Sequence, residues 1–234
     1  MNQHKMAAIG VHLYTGVGVL LAFAAAIALK YHHVQFFLIA LWLAVVVDST
    51  DGAMARYFDV GRVLPTFNGR RLDDLIDYLT YVFLPAMAMI EFGVLPVPVM
   101  WIAVLPMIAS AYGFSLEIAK TNESYVGFPS YWNVLFAYLY ILAVPAKWAV
   151  VIIITLSILV FVPIRYIYPS RTRWMKGPTL AISCMFGLLM SGVCLFPDTA
   201  WAKKVAKVSL IYPAYYVVVS LLHHRRVMRS EEEE

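Results

Sequence analysis

Cysteine and charge are both scarce. Cys184 and Cys194 are the only two cysteines in 234 residues, and both lie inside one apolar run, so neither a disulfide scaffold nor a thiolate–zinc framework is available. Charged residues make up 14% of the chain, against roughly 25% in soluble domains. With 62% hydrophobic residues and a mean hydropathy of +0.75, that shortage excludes a soluble globule, and equally a disordered chain, whose bias runs the other way. Ser/Gly-rich linkers and internal repeats are missing too, so residues 1–234 read as one integral-membrane domain.

What is present is a series of long apolar runs. A membrane crossing needs about 20 mainly apolar residues. Eight segments qualify, at about 10–29, 34–56, 72–92, 98–119, 130–145, 148–167, 179–196 and 206–223. The chain is expected to be an all-α polytopic membrane protein, with about eight transmembrane helices around a cytoplasm-facing polar cavity. The first run continues past its alanines and seven more follow, so it reads as an uncleaved helix rather than a secretory signal.

A pI near 9.0 is compatible with nucleic-acid binding, but the basic residues sit in short loops between apolar runs, where membrane topology accounts for them and no nucleic-acid partner is needed. Eight spans place both termini on one side. The loops of that side carry Lys5, Lys120, Lys176 and all ten arginines; Lys30, Lys147, Lys203, Lys204 and Lys207 fall on the other. The arginine-bearing side is expected to be cytoplasmic. The run Glu231 to Glu234 reads as a solvated tail with no function.

Six of the seven aspartates fall between Asp48 and Asp77. Carboxylates at the end of a membrane helix are costly and mark a functional site by default, although Asp48 and Asp51 could also rest in the headgroup zone. Helix geometry favours the site. At about 100° per residue, Asp48 and Asp51 point about 60° apart, with Gly52 and Ala55 on the same face and Arg56 at its edge. Asp73 and Asp77 are four residues apart on the next helix, about 40° offset, whereas Asp74 points about 100° away and reads as an N-terminal helix charge. Four converging carboxylates repel one another unless they share hard cations. An all-oxygen set favours Mg²⁺, Mn²⁺ or Ca²⁺ over zinc, and a pair of Mg²⁺ ions beside a small-residue slot suits a nucleotide pyrophosphate.

The segments Asp48-Ser-Thr-Asp51-Gly52-Ala-Met-Ala55-Arg56 and Gly69-Arg-Arg-Leu-Asp73-Asp-Leu-Ile-Asp77 resemble the signature of the CDP-alcohol phosphatidyltransferases, D-x-x-D-G-x-x-A-R, a spacer, then G-x-x-x-D-x-x-x-D. All eight fixed positions are present. The usual spacer has eight residues and this one has twelve, which resembles the phosphatidylcholine synthase branch of the family. The segments Gly127-Phe-Pro-Ser-Tyr-Trp-Asn133 and Pro163-Ile-Arg-Tyr-Ile-Tyr-Pro-Ser-Arg171 resemble that branch as well.

The resemblance implies a membrane enzyme that transfers the phosphatidyl group of CDP-diacylglycerol to choline, giving phosphatidylcholine and CMP. Asp48, Asp51, Asp73 and Asp77 would hold two Mg²⁺ or Mn²⁺ ions, and Asp77 would also be the general base. Asp51, Gly52, Ala55 and Gly69 would line the nucleotide slot, with Arg56 supporting the carboxylates or the nucleotide. Family members are often homodimers.

Choline is a quaternary ammonium, and such cations are held by aromatic faces. An aromatic belt at the headgroups is the commoner reason for any single ring, but Tyr131 and Trp132 begin a span on the side of the aspartates and rise above it as candidates, with Tyr166 a weaker one. Arg165 is a candidate for the lipid phosphate or a snorkelling interfacial arginine. Arg171, Arg173 and Lys176 read as contacts to anionic headgroups. Glu117 reads as a helix end near Lys120, and the histidines 32, 33, 223 and 224 as interfacial.

Three alternatives stay open: a different acceptor such as serine or a phosphorylated alcohol, an intramembrane prenyltransferase, and a divalent-cation or choline transporter. A prenyltransferase carries a second aspartate motif in the other half of the chain, and a transporter matched interrupted helices near the midplane; neither is visible here.

Overall fold

The computed structural model describes residues 3–117, 121 and 123–232. Lys120, Glu233 and Glu234 lie outside the described residues, as do the side chains of Glu231 and Glu232.

The chain is mostly helical. α1 (Gln3–Lys30) and α2 (Val34–Tyr57) turn on His32, whose φ of 55° lets the His33 amide reach the Ala28 carbonyl at 2.9 Å. The buried residues of α1 include Ala8, Val11, Thr15, Gly18, Ala22, Ala25 and Leu29. Their alternating spacing of three and four is a heptad stripe of mostly small side chains, which lets helix backbones approach closely in a membrane. α2 is the neighbour α1 packs on most extensively.

After α2 comes a short helix, α3 (Val60–Val63), entered through Asp59 at φ 47°. Asn68 then caps the next helix, accepting the Arg71 amide on Oδ1 at 3.1 Å. That helix is α4 (Gly69–Asp77), and it runs without a break through a π-helical turn (Tyr78–Phe83) into α5 (Leu84–Glu91). A 3₁₀ segment (Val97–Ala103) leads into α6 (Val104–Ser115). The remaining helices are α7 (Trp132–Ile141), α8 (Ala146–Phe161), α9 (Lys176–Leu195), α10 (Ala200–Ser209) and α11 (Ile211–Glu232).

Among the described residues, five helical stretches are long and apolar enough to cross a membrane: Gln3–Lys30, Val34–Tyr57, Val97–Ser115, Lys176–Leu195 and Ala200–Ser230. The other three expected spans fall on the continuous rod Gly69–Glu91, on α7 and on α8. At 10 residues α7 covers only about 15 Å, half of a hydrocarbon core. Large apolar side chains point outward, Leu20 at 68% exposure and Leu188 at 76%, as lipid-facing surfaces require. The chain is a multi-pass membrane protein.

Among the described residues, two short strands interrupt the helical pattern. β1 (Ser124–Val126) and β2 (Arg165–Ile167) pair antiparallel with Tyr125 opposite Tyr166. α11 clamps this sheet: Tyr216 donates its hydroxyl to the Ile167 carbonyl (3.0 Å), the Ile167 amide donates to Ser220 Oγ (3.1 Å), and His223 Nε2 lies 2.8 Å from Ser124 Oγ.

Candidate active site

The site is built where the C-terminal half of α2 meets α4. Asp48, Asp51 and Asp73 each offer a carboxylate oxygen within 4.8 Å of the others, and so do Asp73, Asp74 and Asp77. Asp73 belongs to both groups, so the five carboxylates form two triads joined at one residue. Oxygens bound to one hard cation, at about 2.0–2.6 Å from it, lie no more than about 5 Å apart, so each triad has the donor type and spread that such an ion needs.

Other elements fix these carboxylates. Asp51 is buried and accepts a hydrogen bond from Thr15 Oγ1 at 2.8 Å, from the heptad stripe of α1. Asp48 Oδ2 accepts one from the Tyr81 hydroxyl at 2.7 Å, so the π-helical turn after Asp77 is tied back to α2. π-helical turns recur at functional sites. Here the turn supplies the tyrosine that orients an acid on the neighbouring helix.

The small residues of the motif mark close approaches. A Cβ on Gly52 would lie 3.4 Å from Arg56 Nη1 and 3.9 Å from Arg171 Nη2, so two guanidinium groups border this glycine. At Gly69 a Cβ would come within 2.6 Å of His12 Cε1; the absent side chain lets the start of α4 press against α1. Ala55 is half-buried and packs against the small cluster of Ala8, Val11 and Val60.

Beside the carboxylates lies an open cavity, about 740 Å³ with the solvent space at its mouth included. Asp48, Asp74, Asp77 and Arg70 form its polar wall. Tyr81, Phe114, Tyr125, Phe128, Tyr131 and Tyr168 form its aromatic wall. Tyr125 and Tyr168 stack at 4.5 Å with an interplanar angle of 25°, across the two-stranded sheet. Burial pushes the Tyr125 phenol well above its ordinary range, with the neighbouring Tyr131 adding to the shift, so it remains a protonated donor. Gly127, at φ 83°, bends the wall where any Cβ would drive into the Val160 carbonyl oxygen.

The residues singled out from the sequence are thus distributed unevenly. Asp48, Asp77 and Tyr131 line the cavity, while Asp51 and Asp73 stand in the adjoining triad. Trp132 is fully buried behind the wall, donating Nε1 to Ser110 Oγ at 2.8 Å, and Tyr166 stacks on Tyr216 at 6.1 Å. Arg165 sits on β2, its amide donating to His224 Nδ1 at 3.3 Å. Sequence reasoning missed Thr15, Tyr81, Asp74, Arg70 and the approach of Arg171 to Gly52. Of these, only Asp74 is singled out by the sequence, where its offset of about 100° from Asp73 reads as a helix charge; in the fold its carboxylate reaches round to join Asp73 and Asp77.

Comparison with known proteins agrees with the motif. The family model described as CDP-alcohol phosphatidyltransferase matches residues 12–132, which include both triads. The chain is 32% identical to the phosphatidylcholine synthase of Pseudomonas aeruginosa, over 95% of this chain and 94% of that protein. It is 37% identical to the phosphatidylcholine synthase of Legionella bozemanae, over 72% of this chain and 83% of that protein, and 32% identical to that of Legionella pneumophila, over 94% and 89%. With the motif complete, its carboxylates gathered, and relatives aligned along nearly the whole length, the chain belongs to the CDP-alcohol phosphatidyltransferase family.

Proposed function

We propose that the protein transfers the phosphatidyl group of CDP-diacylglycerol to choline, releasing CMP. The observation that carries this reading is the double position of Asp77: it is buried in the second carboxylate triad and also lines the aromatic cavity. A base in that position touches both the phosphoryl group and an acceptor hydroxyl.

Asp48, Asp51, Asp73 and Asp77 would hold two Mg²⁺ or Mn²⁺ ions, and Asp74, in the second triad, would be a further oxygen donor. Such ions supply charge neutralisation for the pyrophosphate and for the phosphate of the departing CMP. The chain's own groups do the rest. Gly52 leaves room for the nucleotide along α2, Ala55 and Gly69 shape the slot by packing α2 and the start of α4 closely against their neighbours, and Arg56 adds positive charge at its edge. Tyr131 and its aromatic neighbours present ring faces to the trimethylammonium group, which has no hydrogen to donate and is held by cation–π attraction. Asp77 takes the proton of the choline hydroxyl as that oxygen bonds to the phosphatidyl phosphorus, and the bond from phosphorus to the bridging oxygen breaks, freeing CMP. Arg165 is the proposed contact for the lipid phosphate.

Around this site we place eight crossings of a bacterial inner membrane, with both termini and the aspartates on the cytoplasmic side, on the support of the arginine distribution. The lipid substrate then keeps its acyl chains in the bilayer while its headgroup meets the triads. Among the described residues, acidic, His and Cys side chains gather in threes only in these two triads, which argues against a second diphosphate site of prenyltransferase type.

The test is an acceptor panel. Purified protein with CDP-diacylglycerol, Mn²⁺ and labelled choline should yield labelled phosphatidylcholine and CMP in equal amounts. Turnover with serine and none with choline would overturn the acceptor, and pyrophosphate release or metal-dependent ion flux without CMP would overturn the reaction class.

A further inference from the structure

Arg171 lies 115 residues beyond Arg56, past the end of β2, yet its guanidinium reaches the same glycine. The turn that carries it is tightly bonded. The amides of Arg171 and Thr172 both donate to the Tyr168 carbonyl at 2.9 Å, and the Tyr168 amide donates to Thr172 Oγ1 at 2.7 Å. That hydroxyl in turn donates to the Glu123 carbonyl at 2.5 Å, and Thr172 is buried. The guanidinium carbon stands 4.6 Å from the centre of the Tyr168 ring, which is itself stacked on Tyr125. A guanidinium held against an aromatic ring is pre-oriented and keeps its N–H groups available for a flat, forked contact with phosphate oxygens. Its Nε is buried, with no hydrogen-bond partner among the described residues. Arg173, two residues on, is the contrast: its side chain is 91% exposed and pairs with Glu123 at 3.2 Å.

Arg171 therefore joins the two halves of the site. Through Tyr168 it belongs to the wall of the aromatic cavity, and through Nη2 it borders Gly52 on the helix face of Asp48 and Asp51. A donor that lies along this face brings two phosphates into the junction, and a cation opposite the carboxylates is what a pyrophosphate requires there. We infer that Arg171 binds the pyrophosphate of the nucleotide-linked lipid, and is a substrate-binding residue rather than a headgroup contact at the membrane surface. The inference rests on the function proposed above for the identity of the donor, but its test does not need transfer.

The test measures binding of CDP, which carries the pyrophosphate without acyl chains, to the full chain in detergent with Mn²⁺. Arg171→Ala should weaken CDP binding by about tenfold or more, the loss expected for a charge-assisted phosphate contact. Arg171→Lys should recover part of it, since an ammonium keeps the charge and loses the fork. Arg173→Ala should stay within about twofold of wild type in the same assay. In any active Arg171 variant CDP affinity should fall by a larger factor than choline KM rises, because the guanidinium only braces the Tyr168 ring of the cavity wall. If Arg171→Ala does not fold, Arg171→Lys and Arg171→Gln decide the matter by the same readout. CDP binding unchanged in the folded Arg171 variants, with only thermal stability or choline KM altered, would overturn the inference while leaving the transfer reaction standing. CDP binding lost as expected in a protein that transfers nothing to choline would leave Arg171 in place and remove the acceptor.

Discussion

The Tyr81 hydroxyl donates to Asp48 Oδ2 at 2.7 Å, joining two acid-bearing elements that are otherwise separate in the chain. Tyr81 lies one π-helical turn past Asp77, and Asp48 belongs to the first triad while Asp77 belongs to the second. Tyr81→Phe keeps the ring and removes the donor. A hydrogen bond to a charged group contributes about 1.5–3 kcal/mol. The expected outcome is an apparent Mn²⁺ affinity lowered by about tenfold or more, with the protein still folded, read from transfer rate against free Mn²⁺.

Thr15 serves Asp51 in the same way from α1. Thr15→Val is nearly isosteric and removes one hydrogen bond to the charged, buried Asp51 carboxylate, so it should cost about 1.5–3 kcal/mol. Thr15→Ser should restore the hydroxyl and most of the loss. Thermal denaturation in detergent, with and without Mn²⁺, checks both variants.

Gly127→Ala should damage the acceptor side selectively. The position has φ 83°, and the added methyl group meets the Val160 carbonyl oxygen, so the backbone from β1 to Phe128 must shift. A strained non-glycine residue in this region costs about 1–3 kcal/mol. The midpoint of thermal unfolding should fall, and the choline KM should rise more than the CDP-diacylglycerol KM. Equal rises in both would contradict the placement of the wall.

Much of this site could be read before the fold was known, because helix periodicity is a local property. The separation of about 60° between Asp48 and Asp51 follows from their spacing alone, and the two meet Asp73 in one triad. Thr15 and Tyr81 carry no such mark: a hydroxyl on a membrane helix has the same local pattern whether it meets a carboxylate or its own backbone. Thr80, one residue from Tyr81, does the latter, donating to the Ile76 carbonyl at 2.9 Å. In the sequence Arg171 is indistinguishable from its basic neighbours, which read as headgroup contacts, since sequence distance hides its approach to Gly52. The aromatic candidates look alike in the sequence and part only in the fold. Tyr131 lines the cavity, while the indole of Trp132 is turned toward Ser110. Hydropathy also runs through interruptions of the helices. The apolar stretch expected as one span at 148–167 ends as helix at Phe161 and resumes as the strand Arg165–Ile167.

Tyr131 tests the choline reading. Tyr131→Ala removes a ring from the cavity wall and should raise the choline KM by about fivefold to thirtyfold, the range expected for one desolvated cation–π contact of about 1–2 kcal/mol. Tyr131→Phe should stay near wild type, because the ring face is retained. The KM for CDP-diacylglycerol should change little in either variant.

Asp73, shared by both triads, gives the most direct test of the central claim that these carboxylates hold the ions that grip the donor. The measurement is phosphatidylcholine formation against free Mn²⁺, buffered with a chelator, for wild type and Asp73→Asn. Wild-type transfer should vanish without metal and rise to saturation with it, while Asp73→Asn, folded by thermal denaturation, should remain inactive at every concentration. Transfer that persists in the chelated wild-type protein, or an Asp73→Asn variant with wild-type metal dependence, would contradict the account.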